Sequence, residues 1–287
     1  MYHEYTQEEL RAYCRTYIET LEIWARQLIH EKMTEEYGGN YIFLQLNDGN
    51  YLVKKEIREH ISKMTAKEPH RFKRDIDALF IDHLIYFLCN DRWYKKLFAD
   101  ALKHAYPQGK DEARVFLNRL IPIRNPLSHS NPISMFDVER AICYSHDFIE
   151  GLKKYYKEKG KEQMWNVPRI IKVKDSLGNV FENPLEEWVT GSSFDLKHDF
   201  NCGETYSVEV EIDTSFDKNS YDIYWSFNAY RKDEFYNKTK FTTTFAPKDV
   251  AKTRIISCWV LSKKDWHKYN GYDSKINLHF TVLPPID

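Results

Sequence analysis

Two different periods of apolar residues divide the chain. Through residues 1–160, apolar positions recur every three or four residues, as on the buried face of an α-helix. After Pro168 they alternate with polar or smaller residues, as in strands with one buried face. The alternation is clearest in the segments 208–212, 221–227, 255–261 and 276–282. The pattern therefore predicts an all-α domain followed by an all-β domain.

Capping and turn residues set the expected ends of the helices. Thr6 and Glu9 form a capping-box pattern, and Gly38-Gly39 ends the first helix near Tyr37. Asp48-Gly49 stands between two apolar runs and predicts a small β-hairpin inserted into the helical domain, with strands at 41–46 and 51–53. Further helices are expected at 54–64, 72–88, 91–102, 111–124 and 134–156.

The segment Ile-Arg-Asn-Pro-Leu-Ser-His-Ser-Asn-Pro, at 123–132, interrupts the helical pattern. Pro126 disfavours helical backbone at Asn125, so the preceding helix is expected to end at Arg124. His129 then follows in irregular chain. The spacing alone is uninformative, since chance supplies about one or two such matches and a second pair, Arg140–His146, occurs within continuous helix. Arg124 differs from Arg140 in its expected position at the end of a helix.

A charged run near residue 160 predicts the domain boundary. The helical domain is placed at 1–160, a linker at 161–168, and an antiparallel β-sandwich of six to eight short strands at 169–287. Within that sandwich, Cys202, Trp225 and Cys258 follow the immunoglobulin pattern of two cysteines around a tryptophan. Cys202 precedes its expected strand, so the prediction is an immunoglobulin-like sandwich without a disulfide.

Composition narrows the class of protein. The net charge of −1 argues against a globally basic nucleic-acid-binding coat, so any such contact must be local. Five cysteines are scattered singly, which is typical of a reducing compartment. The chain shows no basic, apolar leader at Met1 and no run of 18 apolar residues. A cytoplasmic protein with no membrane span is expected.

The segment around Arg124 resembles the HEPN domain (higher eukaryotes and prokaryotes nucleotide-binding). The motif of that family is an arginine, preferably followed by a polar residue, then four to six residues and a histidine. Arg124, Asn125 and His129 match it one for one. The layout of 70–158 is similar to the HEPN domains of transcript-surveillance endonucleases and their bacterial relatives. The resemblance does not extend to the β domain.

The resemblance implies a metal-independent endoribonuclease that needs no cofactor. RNA would be cut by its own 2′-hydroxyl, with His129 transferring protons, Arg124 holding phosphoryl oxygens, and Asn125 orienting either group. It also implies a homodimer through the helical domain, which would pair two motifs in one cleft, and a role in stress or anti-phage defence. A purely structural alternative places the arginine on helix-end carbonyls and the histidine in an inter-helix hydrogen bond.

Other residues are weaker candidates. Basic residues near the motif could bind RNA phosphates, although an ordinary surface explains them better; they are Arg92, Lys95, Lys96, Arg114 and Arg119. Asp75, Asp77 and Asp82 lie off the apolar face of their helix and His83 lies on it, so a solvated helix face explains the aspartates better than a metal site does. Two other functions stay open. The first is a non-catalytic HEPN scaffold that binds RNA or protein. The second is an adaptor whose sandwich binds a protein or ligand partner through aromatic side chains, namely Trp188, Tyr224, Tyr230, Tyr236 and Trp266.

Overall fold

The computed structural model describes residues 5–68, 72, 74–128, 132–162, 166–182 and 192–285. The chain contains both helices and sheets and divides into two compact units, 1–161 and 162–287. Helices form the first unit and strands form the second. Among the described residues, no helix is both long enough and apolar enough to cross a bilayer.

Among the residues described for the first unit, seven α-helices are present. They are α1 Gln7–Tyr37, α2 Lys55–Lys67, α3 Ile81–Leu88, α4 Ala99–Leu102, α5 Lys110–Asn118, α6 Ile121–Ser128 and α7 Met135–Glu158. The predicted capping boxes at Thr6 and Ser134 are both present and begin α1 and α7. A backbone hydrogen bond from Gly38 to Thr34 closes α1. The sequence therefore predicted the two longest helices correctly.

The long helices α1 and α7 pack side by side and run in the same direction. Ring contacts follow one another along both helices, from Tyr17 with His146 at 5.3 Å to Trp24 with Tyr156 at 6.4 Å. Trp24 and Tyr156 are fully buried. Of the shorter helices, α3 and α6 pack on α1, whereas α4 packs on α7.

Two predicted helices of the helical unit are wrong, and the predicted hairpin is present in a shortened form. The expected helix at 72–88 is a 3₁₀ turn at Asp75–Ala78, a break at Leu79-Phe80, and then α3. The hairpin consists of one antiparallel bridge between Gln45 and Tyr51, with backbone hydrogen bonds from Leu46 to Asn50 and from Leu52 to Leu44. The expected helix from Asp91 begins as a turn and a π-helical segment, Tyr94–Phe98, before α4.

The predicted helix end at Arg124 is also wrong. The chain breaks earlier, after Asn118, and α6 then continues through Pro126 to Ser128. A proline removes one backbone N–H and biases the residue before it, but burial can outweigh that cost. Ile123 and Leu127 lie one turn apart on α6 and are both buried. Their burial favours helical backbone across the proline.

In the described part of the second unit, nine strands form two sheets. They are β1 Ile170–Asp175, β2 Val180–Glu182, β3 Ser192–Asn201, β4 Thr205–Ile212, β5 Tyr221–Phe227, β6 Tyr230–Arg231, β7 Lys240–Thr244, β8 Ala251–Ser262 and β9 Ser274–Leu283. The sheet orders are β2-β1-β4-β7 and β3-β9-β8-β5-β6. All four segments in which the alternation was clearest are strands. The prediction of purely antiparallel pairing is wrong, because β3 pairs with β9 in parallel.

One apolar core is shared by the two sheets. Trp225 of β5 is fully buried and stacks on Phe241 of β7, from the other sheet, with ring centroids 5.4 Å apart. Its indole N–H donates to the Lys238 carbonyl at 2.8 Å. Cys258 is buried in β8, whereas Cys202 follows β3 and its thiol donates to the Leu283 carbonyl at 3.4 Å.

Candidate functional site around Arg124

Arg124 and Asn125 lie in the middle of α6 rather than at its end. Arg124 is half-buried and Asn125 is exposed. The Arg124 guanidinium carbon lies 4.1 Å from the centroid of the Phe80 ring, a cation–π contact. Within the described residues, no carboxylate lies in salt-bridge range of Arg124. His129, the predicted proton-transfer residue, lies outside the described residues.

Phe80 is held in place by an ion pair on α1. Glu22 and Arg26 stand one turn apart, with 2.7 Å between Glu22 Oε2 and Arg26 Nη2, and both side chains are largely buried. Arg26 donates two hydrogen bonds, of 2.7 and 3.0 Å, to the Leu79 carbonyl. Glu22 accepts from the Ile81 N–H at 3.0 Å. The pair therefore satisfies the backbone groups on both sides of Phe80, where α3 begins.

Burial raises the pKa of the Glu22 carboxyl. The charges of Arg26 and Arg124 and the hydrogen bond from Ile81 oppose that shift. Arg124 therefore acts electrostatically on the ion pair that positions its own aromatic partner. We call Glu22 and Arg26 the α1 clamp.

Two histidines that the sequence did not connect with Arg124 lie beside the Phe80 ring. The His60 ring makes an edge contact with Phe80, with centroids 5.4 Å apart, and packs on the His83 ring at 4.5 Å. His60 Nε2 lies 3.1 Å from the Ala78 carbonyl. His83 was expected on the apolar face of its helix, and its side chain is only 18% exposed. Its spacing of three residues from Phe80 was the signal in the sequence that could have placed both side chains on the same side of the helix.

Burial is the main influence on His83 and lowers its pKa from the ordinary value. The neighbouring carboxylate of Asp82 raises it, and the charges of His60, Lys54 and Arg124 lower it further. His83 is therefore neutral at pH 7, with Nδ1 buried and without a hydrogen-bond partner among the described residues. A neutral imidazole beside a guanidinium can accept a proton from a substrate hydroxyl.

The predicted RNA-binding residues do not gather at one place. Lys96 pairs with Glu36, roughly 21 Å along α1 from Glu22 at the rise of an α-helix. Arg119 packs over the Phe116 ring at 5.1 Å and donates to the Tyr144 hydroxyl at 3.1 Å.

Two further basic residues, Arg92 and Lys95, are exposed, and Arg114 donates to the Cys89 carbonyl at 2.6 Å. Burial raises the pKa of Tyr86 on α3, and the charge of Arg92 opposes that shift.

Comparison with known proteins gives no further assignment. No protein-family model matches the chain, and the search of curated proteins finds no match. In the part of the chain that the structure describes, no three histidine, cysteine or carboxylate side chains come close enough together to hold a metal ion. The aspartates around His83 therefore form no such group there.

The α1 clamp gives a prediction about stability. Replacing Arg26 with alanine leaves a buried carboxylate without its partner and removes two hydrogen bonds from the Leu79 carbonyl. We expect Arg26→Ala to lower the free energy of unfolding of the helical unit by about 3–5 kcal/mol. Urea unfolding followed by the helical circular dichroism signal measures it.

The matched control for the clamp is the exposed pair Lys55–Glu59 on α2, at 3.6 Å. Lys55→Ala should change the free energy of unfolding by less than about 1 kcal/mol. The double variant Glu22→Gln/Arg26→Leu removes both charges and should lose less stability than Arg26→Ala. Equal small effects of Arg26→Ala and Lys55→Ala would contradict the clamp.

The electrostatics of His83 give a second prediction. Arg124→Gln removes a positive charge that lowers the pKa of His83, so that pKa should rise. Asp82→Asn removes a negative charge that raises it, so the pKa should fall. Titration of the ring resonance by NMR, assigned with His83→Gln, measures both shifts. Arg140→Gln on α7 is the control and should leave the titration unchanged; shifts of the same sign in the first two variants would refute the arrangement.

Proposed function

We propose that the protein is a metal-independent endoribonuclease of the HEPN type, with a HEPN-like helical unit and an immunoglobulin-like β unit. The observation that carries the proposal is the state of Arg124. Its guanidinium packs on a ring, no carboxylate of the described residues pairs with it, and the exposed amide of Asn125 follows it on α6. A guanidinium in that state is available to bind a phosphate in bidentate fashion.

The chemistry follows from the groups that the motif supplies. His129 takes the proton from a ribose 2′-hydroxyl, whose oxygen attacks the adjacent phosphorus. The bond to the 5′-oxygen breaks and that oxygen receives the proton that His129 had taken, which leaves a 2′,3′-cyclic phosphate and a free 5′-hydroxyl. Arg124 stabilises the negative charge that develops on the phosphoryl oxygens. His83, neutral and near Arg124, is a further proton acceptor at the same place.

The partner of this site is proposed to be a second copy of the chain. Exposed aromatic and apolar side chains cluster where α1 and α7 begin, since Gln7 exchanges hydrogen bonds of 2.8 and 3.0 Å with the backbone of Ile133. This apolar end of the unit comprises Tyr5, Tyr13, Met135 and Phe136. Arg15 of α1 also reaches the Leu127 carbonyl of α6, at 3.5 Å. Pairing there would bring two copies of the Arg124 segment together.

A non-catalytic scaffold is the second candidate. The observation that favours it is the continuity of α6, which places Arg124 and Asn125 within a helix instead of in an irregular loop. A role in the cytoplasm and in stress or anti-phage defence accompanies the first candidate and rests on the family resemblance alone. A protein or ligand partner for the β unit is compatible with both candidate functions.

Cleavage of RNA in the presence of EDTA tests the proposed activity. We expect His129→Ala to slow cleavage by about 10²–10⁴-fold, because a positioned acid–base group is lost. Arg124→Ala should slow it by about 10²–10³-fold, because charge on the phosphoryl group is no longer stabilised. Product ends are read as cyclic phosphate and 5′-hydroxyl.

The chain supplies a matched control in the second arginine–histidine pair. Arg140→Ala and His146→Ala alter the same residue types at a similar spacing within α7 and should leave the rate unchanged. Loss of wild-type cleavage on adding EDTA would refute the metal-free mechanism. A rate insensitive to Arg124→Ala and His129→Ala would refute the site and favour the scaffold.

The proposed dimer is tested by a charge at its most exposed apolar residue. Phe136 is 72% exposed, and Phe136→Asp should convert a particle of about twice 34.5 kDa into one of 34.5 kDa, because a carboxylate would be buried without a partner. Size-exclusion chromatography with light scattering measures the mass. Val115→Asp alters an exposed apolar residue on α5 and should leave the dimer intact; a monomeric wild type would contradict the proposal.

A further inference from the structure

The helices α2 and α3 run antiparallel beside each other, and their contacts order the residues between them. Lys54, at the start of α2, places its Nζ 4.7 Å from the centroid of the Tyr86 ring, near the end of α3. Further along α2, His60 packs on His83, which lies nearer the start of α3. We call this line of side chains the α2–α3 seam; it comprises Lys54, Tyr86, His60, His83, Phe80 and Arg124.

Rings and cations alternate along the seam. Phe80, His83 and Tyr86 are spaced three residues apart and therefore share one side of α3, over a length of roughly 9 Å. A cation lies over the ring at each end, Lys54 at Tyr86 and Arg124 at Phe80. The two histidine rings lie between those ends. The rings are half-buried, so part of each remains open to solvent.

The charges of the seam are only partly compensated. Among the described residues, Lys54 and Arg124 have no carboxylate in salt-bridge range, and the positive charge of Arg92 also acts on Tyr86. Three carboxylates of that part of the chain border these groups: Asp82, whose oxygen lies 3.6 Å from His83 Nδ1, Glu56, whose charge acts on Tyr86, and Asp48, on which the charge of Arg92 acts. The excess of positive charge is small, so stacking must contribute a large share of any binding to nucleic acid.

We propose that the α2–α3 seam binds single-stranded RNA and leads it to Arg124. Bases would stack on the rings of Tyr86 and the histidines, while Lys54, Arg92 and Arg124 contact successive phosphates. Single-strand-binding proteins use such combinations of aromatic platforms and cations, because every base has a face that can stack. The proposal deepens the proposed function and rests on it for the choice of RNA as ligand.

Binding is measured separately from cleavage with a short, fluorescein-labelled, fully 2′-O-methylated oligoribonucleotide. This probe has no free 2′-hydroxyl and is not cut by the proposed chemistry. Fluorescence anisotropy with the full chain should show Tyr86→Ala weakening binding by about 5- to 100-fold through the loss of one stacking platform. With three phosphate contacts, the logarithm of affinity should fall against the logarithm of salt concentration with a slope of about −2.

Lys54→Ala removes one phosphate contact and should reduce the magnitude of that slope by about 0.7. Lys54 is exposed, so this variant keeps the test valid if Tyr86→Ala fails to fold. Lys55→Ala is the matched control: it removes the neighbouring lysine, which pairs with Glu59, and should leave affinity and slope unchanged. Equal effects of Lys54→Ala and Lys55→Ala would overturn the proposal.

The outcomes separate the seam from the proposed activity. If the wild type cleaves RNA, but Tyr86→Ala and Lys54→Ala bind the probe as well as the wild type does, the seam proposal is overturned and the proposed activity stands. Loss of binding in both variants, without any cleavage by the wild type, would support the seam and count against the activity. If a polyglutamate peptide binds as well as the probe, and the same variants abolish its binding, the seam would instead be a site for acidic proteins.

Discussion

The candidate site depends on a buried ion pair in the longest helix. Glu22 and Arg26 supply an acceptor and a donor to the backbone on either side of Phe80, where the 3₁₀ turn gives way to α3. Unpaired, those backbone groups would cost free energy in a buried environment. By satisfying them, the pair stabilises a break between the 3₁₀ turn and α3, which the helical pattern of 72–88 did not predict. The position of Phe80, and therefore of its contacts with Arg124 and His60, follows from that break.

Arg124 connects this structural pair to the titratable groups around it. Its positive charge opposes the rise in the pKa of Glu22 caused by burial, and it adds to the fall in the pKa of His83. One cation thus stabilises a buried carboxylate and keeps a nearby imidazole neutral. Both effects require that the guanidinium stay on the Phe80 ring instead of pairing with an exposed carboxylate, which a half-buried position favours.

Local sequence signals predicted the elements whose ends are set by their own residues. The capping boxes at Thr6 and Ser134 and the alternation in β4, β5, β8 and β9 were sufficient, because caps and two-residue periodicity act within a few residues. The same signals failed at Pro126. There the proline rule describes a local bias, whereas the burial of Ile123 and Leu127 is a contribution from packing that no local rule contains. Strand periodicity likewise could not predict the parallel pairing of β3 with β9, because it does not show which strands pair.

The sequence by itself determined the division into helical and β units, the two long helices, four of the strands, and Arg124 and Asn125 as the residues of interest. Tertiary structure decided what surrounds Arg124. Phe80 is 44 residues away along the chain and carries Arg124 on its ring, and His60, 64 residues from Arg124, packs on the same ring. Periodicity shows which face of a helix is buried, but not which other helix covers it. That choice belongs to packing, to which the α1 clamp contributes by fixing the start of α3 against α1.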